Sequence, residues 1–477
     1  MFLSCFSPFN YKELVLKAVL WFLMVTITLV YPFFQPKRDN SIFRFPPLGL
    51  GYMASALREH GFSVALVDCT FLNHKQALEQ IRRFKPKILG FYSMFSMKQT
   101  TMKLAQSLRE DCQLLVAGGP LPTLDPEGFL DVFDVVAVGE GEETIVEIAN
   151  CVEQGLDISG VRGIVYKVNE RPVYTAKREF IQNLDTIPFP SRDLFDNHSY
   201  KAYYSKKFGY TTTPIISSRG CPFSCDFCSR PVFGQNLRVR SPENIVAEAD
   251  EVERLGYEQV WFADDCFTLD KTQVLRVCDL ILERRLNLGW ECLSRVDTMD
   301  LDTAIQMKKA GCKRVFFGIE SGNDQVLKIM RKCVDVFQAR HAVYAAKTAG
   351  LEVGAFFIVG YPGENDKTIL DTIRFATELP LDYLSFTLPY PIPGTPLYDH
   401  IKHISGLSTS NWEENKNWSL IRHKLLCDSG FSERKLKFAI GKAQLQYRCR
   451  KYVGETGYNI IGRPFERVTD WAFTKLK

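Results

Sequence analysis

The sequence predicts two α/β units in series: a doubly wound parallel sheet, then an incomplete six-unit (β/α) barrel with a small helical C-terminal segment. Three observations carry that expectation. Apolar strand-like runs alternate with amphipathic helical ones from Val25 to Val152. After a change of texture near Leu184 the alternation resumes. The first strand of the second series runs straight into a tight cysteine triplet. The chain has 477 residues, 46% hydrophobic and 24% charged, which excludes wholesale disorder, collagen-like repeats and a polytopic membrane protein. Net charge is only +4 and no basic run stands out, so no nucleic-acid partner is expected.

Residues 1–24 read as an N-terminal extension, with Lys12–Met24 helical. The uncharged stretch Ala18–Phe34 raises a membrane anchor, although it is short for a span and contains Pro32. Its second half, Val25–Tyr31, is β-branched and ends at Pro32, as a buried first strand would. No small-residue cleavage site follows, which speaks against a removed signal peptide. Eleven of the 14 cysteines are isolated, which fits free thiols in a reducing cytosol. A cytoplasmic protein is expected, with membrane association left open.

The first domain is expected over 25–183. Its strands are Val25–Tyr31, Ser63–Asp68, Ile88–Tyr92, Leu114–Ala117 and Val135–Val138. The helices between and after them are Leu48–His60, Lys75–Phe84, Lys98–Glu110 and Glu142–Val152. Parallel sheets of this kind bind ligands at the carboxyl ends of their strands. Small residues sit there: Ser93 after the third strand, Gly118 and Gly119 after the fourth, Gly139 and Glu140 after the fifth. Glycine allows a ligand to approach the backbone, and it equally makes a tight turn. No G-x-G-x-x-G follows the first strand; Pro46-Pro47-Leu48-Gly49 opens the first helix instead. Residues 184–210 read as a linker.

The barrel is expected over 211–400. Cys221, Cys225 and Cys228 follow its first strand with C-x3-C-x2-C spacing, which suits an iron–sulfur cluster with one iron left open. Zinc is the competing reading, but no second cysteine or histidine pair is at hand to close a zinc site. Five further strands are expected at Gln259–Phe262, Leu288–Leu293, Arg314–Gly318, Gly354–Val359 and Tyr383–Leu388. Active residues of such barrels gather at the strand ends. Those ends carry Asp264-Asp265, Ser294-Arg295, Glu320-Ser321-Gly322 and Gly360–Glu364. Plainer readings exist: Asp264 as a helix cap, Gly322 as a turn, Arg295 as a brace for a carboxylate. Residues 401–477 read as a mostly helical cap. Lys435, Lys437, Lys442, Arg448, Arg450 and Lys451 mark a solvated face there.

The cysteine motif with Phe227 before Cys228, together with Gly318-Ile-Glu-Ser-Gly322, resembles the radical S-adenosylmethionine superfamily. The preceding sheet, with Pro46-Pro47-Leu48-Gly49, Gly118-Gly119-Pro120 and Gly139-Glu140-Gly141-Glu142, resembles its cobalamin-binding branch. That branch includes methylases of unactivated carbon and the anaerobic magnesium-protoporphyrin monomethyl ester cyclase type. The likeness runs from Val25 to His400. It implies a Rossmann-like cobalamin-binding domain ahead of a partial (β/α)6 TIM-type barrel. Cys221, Cys225 and Cys228 would ligate a 4Fe-4S cluster whose open iron chelates S-adenosylmethionine. Asp265 would meet the methionyl amine, Ser294 and Arg295 the carboxylate, Glu320 the ribose and Gly360 the adenine. Ser93, Gly118 and Gly119 would line the groove for the cobalamin tail, with Gly139 and Glu140 beside it. Pro32–Pro47 holds no histidine, and Leu121 replaces the histidine after Gly-Gly-Pro, so cobalamin is expected without a histidine lower ligand.

The resemblance implies reductive cleavage of S-adenosylmethionine to a 5′-deoxyadenosyl radical, followed by methylation of an unactivated carbon. Two alternatives stand beside it: cyclisation or rearrangement without net methylation, and a non-catalytic iron–sulfur electron carrier. An external donor such as flavodoxin or ferredoxin would supply electrons. The aromatic content of 13% and the apolar N-terminus lean towards a small hydrophobic or lipid-like substrate.

Overall fold

A computed structural model describes residues 26–34, 44–228, 232–405 and 430–476. The expected extension 1–24 and its helix Lys12–Met24 lie outside the described residues. Among the described residues no helix is long and apolar enough to cross a membrane. The chain divides into two compact units. The first takes β1 with residues 46–181 and 187–197; the second takes 44–45, 182–186 and 198 onward.

In the first unit, β1 (Thr26–Tyr31), β2 (Ser63–Asp68), β3 (Ile88–Tyr92), β4 (Leu114–Gly118) and β5 (Val135–Ala137) pair in parallel in the order β2-β1-β3-β4-β5. An antiparallel hairpin extends the far edge: β6 (Ile164–Val168) and β7 (Arg171–Tyr174). Its turn residues Asn169 and Glu170 both have positive φ, the twist a two-residue hairpin favours. Helices α1 (Leu48–Glu59), α2 (His74–Arg83), α3 (Lys98–Gln106), α4 (Pro120–Leu124) and α5 (Glu142–Gln154) connect the strands. Alternate residues of β1 serve opposite cores. Ile27 and Leu29 pack with α1 and α5, while Val30 packs with α2 and α3. The sheet is therefore covered on both faces, as continuous apolar strands require.

The second unit opens with α6 (Asn197–Phe208), followed by six parallel strands in sequence order. These are β8 (Thr212–Ile215), β9 (Gln259–Phe262), β10 (Gly289–Ser294), β11 (Cys312–Glu320), β12 (Glu352–Ile358) and β13 (Tyr383–Thr387). The helices are α7 (Pro242–Arg254), α8 (Lys271–Glu283), α9 (Leu301–Lys309), α10 (Asp324–Ile329), α11 (Val336–Thr348), α12 (Asp366–Glu378), α13 (Pro396–Ser405), α14 (Glu433–Gly457) and α15 (Arg463–Lys475). One apolar core, including Val260, Trp290, Val315, Val353 and Phe386, joins one face of the strands to the helices. The other face carries a run of rings. Trp261 lies 5.6 Å from Phe316, which lies 5.7 Å from both Phe356 and Tyr383.

Two expectations change. The linker 184–210 is not free chain. Ser55 Oγ donates to the Phe189 carbonyl at 2.6 Å and Arg58 pairs with Asp193 at 2.8 Å, holding 187–197 to the first unit. The stretch after it is helix α6, whose Tyr200 and Tyr204 are buried in the second; aromatic side chains of that size need a core. The basic run of α14 is not wholly a solvated face either. Lys435 and Lys442 are buried, pairing with Asp366 at 2.7 Å and Asp470 at 2.6 Å.

Candidate functional site

The cysteine loop grows out of β8 and is pinned by backbone and rings. Ser218-Arg219 pairs antiparallel with Arg238-Val239. Gly220 has φ +89, and a Cβ there would stand 2.3 Å from the Asn236 carbonyl oxygen, so only glycine fits. The Cys221 N–H donates to the Gly234 carbonyl at 3.3 Å. The Asp226 N–H donates to Met330 and its carbonyl accepts from Leu397, at 3.1 and 3.0 Å. Phe227 sits in a small apolar cluster with Val326, Met330, Ile358, Tyr361 and Leu397. Phe223 lies under the Arg295 guanidinium, 3.4 Å from it. Between these anchors Cys221, Cys225 and Cys228 are half-buried. Burial pushes the Cys225 thiol up, while Lys332 and Arg295 pull it down.

Charged side chains collect behind the loop. Glu320 ends β11 in the left-handed region, φ +72, where a non-glycine residue is strained. Its Oε1 accepts from Lys332 Nζ at 3.1 Å, and both side chains are buried. A Cβ on Gly318 would fall 2.6 Å from Glu320 Oε1, so this glycine makes room for the ion pair. Arg295 holds Asp297 in a bidentate pair at 2.9 Å and donates to the Lys332 carbonyl at 3.0 Å. Glu364 Oε2 accepts from the Gly360 and Tyr361 N–H groups at 2.7 and 2.8 Å, and burial pushes this carboxyl up to about 7.

Among the described residues, no three His, Cys, Asp or Glu side chains converge on a point where one metal ion would sit. A four-iron cube takes each thiolate at a different corner, so three thiols on one pinned loop that do not converge on one point fit it better than they fit zinc.

In the first unit the ends of β3, β4 and β5 bring main-chain groups together. The Ser93 N–H donates to the Gly118 carbonyl at 2.8 Å, and Ser93 O accepts from Leu121 N at 3.2 Å. Gly119 has φ +105, and a Cβ there would lie 2.9 Å from Ser93 O. A Cβ on Gly139 would meet nothing within 4 Å, and one on Gly118 would meet only Ala137 at 3.8 Å. The main chain bared at Gly118 and Gly139 on these strand ends suits a bulky ligand whose tail approaches the backbone, as cobalamin would.

Comparison with known proteins agrees with both halves. A family model of the radical SAM superfamily matches residues 215–376, and one of the B12 binding domain matches residues 39–149. An uncharacterized methyltransferase of Pyrococcus horikoshii is 35% identical over 379 residues, spanning 77% of this chain and 81% of its own. The chain belongs to the cobalamin-binding branch of the radical S-adenosylmethionine superfamily. An anaerobic magnesium-protoporphyrin IX monomethyl ester cyclase of Cereibacter sphaeroides is 26% identical, over 79% of this chain and 63% of that one. Among solved structures, the radical S-adenosylmethionine methyltransferase TsrM from Kitasatospora setae, with cobalamin and a 4Fe-4S cluster bound, superposes with a TM-score of 0.68. It is 18% identical, with 80% of this chain and 75% of that chain covered, and supports the fold.

Within this radical S-adenosylmethionine unit the expected residues separate. Cys221, Cys225, Cys228, Arg295 and Glu320 are brought together around the loop. Asp265 stands exposed at the end of β9, whereas Asp264 is buried and braces the base of the loop. It accepts from the N–H and hydroxyl groups of Ser217 and Ser218 at 2.6–3.1 Å, so it is not a helix cap. Ser294 is buried with its hydroxyl 2.7 Å from Thr268 and bonded to the Arg295 carbonyl, which makes it a brace as well. Gly360, φ +84, is packed against Leu436 of α14. In the B12-binding unit Ser93, Gly118, Gly119 and Gly139 share the strand ends. Glu140 turns its carboxylate to the Ile181 N–H, 2.7 Å away.

Lys332 and Asp297 were not anticipated as site residues, and Glu364 was expected at a strand end with no role of its own. Lys332 sits in a loop between Arg331 and Cys333, both at positive φ. Its one sequence signal is a lone lysine in a short connection between two helices, which a solvated lysine mimics.

Proposed function

We propose that this protein methylates an unactivated carbon of a small hydrophobic molecule. The observation that carries the reading is the pinned loop of three half-buried thiols, set beside the buried Glu320–Lys332 pair and the Arg295–Asp297 pair at the ends of the barrel strands. When bound, the cluster supplies one electron to the sulfonium of S-adenosylmethionine, and the corrinoid supplies the methyl group.

The chain's own residues position and shield. Cys221, Cys225 and Cys228 hold three corners of the cluster. Asp265, exposed at its strand end, receives the methionyl ammonium. Arg295, locked by Asp297 and stacked on Phe223, turns a fixed cation towards the carboxylate. Glu320, held by Lys332, faces the ribose hydroxyls, and the main chain at Gly360, packed on Leu436, lies near the adenine. Ser294 supports Arg295 without touching the ligand. Ser93, Gly118, Gly119 and Gly139 floor the corrinoid groove. The rings of Trp261, Phe316, Phe356 and Tyr383 favour an apolar substrate and keep water out. A flavodoxin or ferredoxin is the proposed donor of electrons.

Anoxic reconstitution with iron, sulfide and cobalamin tests this directly. Cluster and corrinoid absorbance are expected together, with 5′-deoxyadenosine released after dithionite and S-adenosylmethionine are added. Zinc in place of iron, or intact S-adenosylmethionine, would overturn the reading. A full cluster without corrinoid would remove methylation from it. The cyclase relative favours a second reading, rearrangement without methyl transfer; its mark is deoxyadenosine with no gain of a methyl group in the product.

A further inference from the structure

Helix α15 carries its charges on two separate faces. Glu466 and Asp470 turn inward: Glu466 accepts from Tyr458 Oη at 3.1 Å, and Asp470 holds the buried Lys442 at 2.6 Å. Phe473 is fully buried on the same side. The opposite face presents Phe465, Val468 and Trp471, exposed by 44, 63 and 64%. These positions are three apart and form one stripe. Arg467 and Lys475 are exposed beside it and Arg463 is exposed at the helix start, and among the described residues no carboxylate pairs with them. Tyr452 at 86% and Ile460 at 71% continue the apolar surface across the junction with α14.

A helix that is apolar and cationic on one face, with tryptophan among its exposed rings, has the make-up of an interfacial helix. The rings enter the headgroup boundary while the arginine and lysine heads reach anionic lipid phosphates. We infer that α15, with the end of α14, docks this protein peripherally on a bilayer surface bearing anionic lipid.

Two other occupants fit less well. A two-fold contact between copies would set Arg463, Arg467 and Lys475 against their own equivalents, with no described carboxylate on that face to neutralise them. An acidic electron-donor protein suits the charge but not the place. Arg374 of α12 pairs with Glu466 and Asp470 of α15, while Thr372 of the same helix bonds Ser321 and Gly322 at the barrel end. The outward face of α15 is thus two helix layers, roughly 20 Å, from the strand ends, too far for ready electron transfer to the cysteine loop.

Flotation of the full chain with phosphatidylcholine vesicles, with and without phosphatidylglycerol, tests the inference. Wild-type protein should float with the anionic vesicles and stay down with the neutral ones. Val468→Asp/Trp471→Ser should abolish flotation. Arg467→Glu/Lys475→Glu should weaken it by roughly fivefold or more per charge. All four sites are exposed, so melting curves of the variants should match wild type; Arg467→Gln/Lys475→Gln, which only neutralises, serves as a second variant in case charge reversal disturbs the fold. Absence of flotation with anionic vesicles, or flotation unchanged in the Val468/Trp471 variant, overturns the inference. So does a wild-type dimer that the same substitutions dissociate, since that assigns the face to a second copy.

Discussion

At the ends of β3, β4 and β5 the first unit offers main chain: glycines at φ +105 and +88, carbonyls and N–H groups, with open space over Gly139. At the ends of the barrel strands the second unit offers side chains: Arg295 on Asp297, Lys332 on Glu320, Asp264 under four hydrogen bonds. The two ends suit different ligands. A large, preformed cofactor needs room and a surface that approaches closely, and its affinity comes from extended contact. A small charged cosubstrate that reacts needs fixed charges whose geometry does not relax during the reaction. Substitution should therefore act through shape in the first unit and through charge in the second.

The largest effect is expected at the cysteine loop, where neither shape nor neighbouring charge compensates for a lost ligand. Cys225→Ala should leave iron and sulfide at background after anoxic reconstitution, with the corrinoid band of the B12-binding unit unchanged. Loss of both bands at once would show that the two sites are not separable in this way, and would break the comparison.

Next comes the Glu320–Lys332 pair. Lys332→Met leaves a buried carboxylate without its cation, at a cost of about 3–5 kcal/mol. Adding Glu320→Gln removes the stranded charge and should recover most of that loss in urea unfolding, while deoxyadenosine production stays down. If the single and double variants are equally unstable, packing rather than charge governs this end.

Lys332 also marks where sequence reasoning stops. The strands were legible because each is a short apolar run between helices with clear starts: Ser63–Asp68, Ile88–Tyr92 and Gln259–Phe262 match residue for residue. The cysteines were legible because three soft ligands at that spacing have few other uses. Other residues were hidden because their meaning depends on contacts distant in sequence. Asp264 and Asp265 are adjacent and chemically identical, yet the bend after β9 turns one onto Ser217 and Ser218 and leaves the other exposed. The hairpin β6–β7 was missed because Pro172 and Asn169-Glu170 look like loop until the positive φ values of the turn are seen. The aromatic stretch after Asn197 looked like linker because its apolar face pairs with no neighbour in the sequence.

Glu364 sharpens the charge side of the comparison through pH. Burial lifts its carboxyl from an ordinary value of 4.5 to about 7, against the pull of the Tyr361 and Gly360 N–H groups. The folded state thus holds this proton more tightly than the unfolded chain. Its stabilising contribution is full below 4.5 and is lost as pH rises to about 7. Denaturation midpoints measured across that window should fall by the equivalent of about 1–3 kcal/mol, and Glu364→Gln should flatten this part of the curve.

The smallest effects test the shape side. Gly119, at φ +105 and ψ −171, occupies a region that is essentially closed to other residues, and an added Cβ would press on Ser93 O at 2.9 Å. Gly119→Ala should cost about 1–3 kcal/mol of stability, whatever is bound. Gly139→Ala meets no atom within 4 Å, so only its φ of +88 opposes the methyl group and the cost should be about 1 kcal/mol. If the corrinoid tail lies against this main chain, the same methyl group stands in its path. Gly139→Ala should then weaken corrinoid retention, read by absorbance after gel filtration, far more than it lowers the melting temperature. Gly119→Ala should lower the melting temperature more. A Gly139 variant that keeps its corrinoid as wild type does would move the cofactor off this floor, leaving the open glycine as a turn and nothing else.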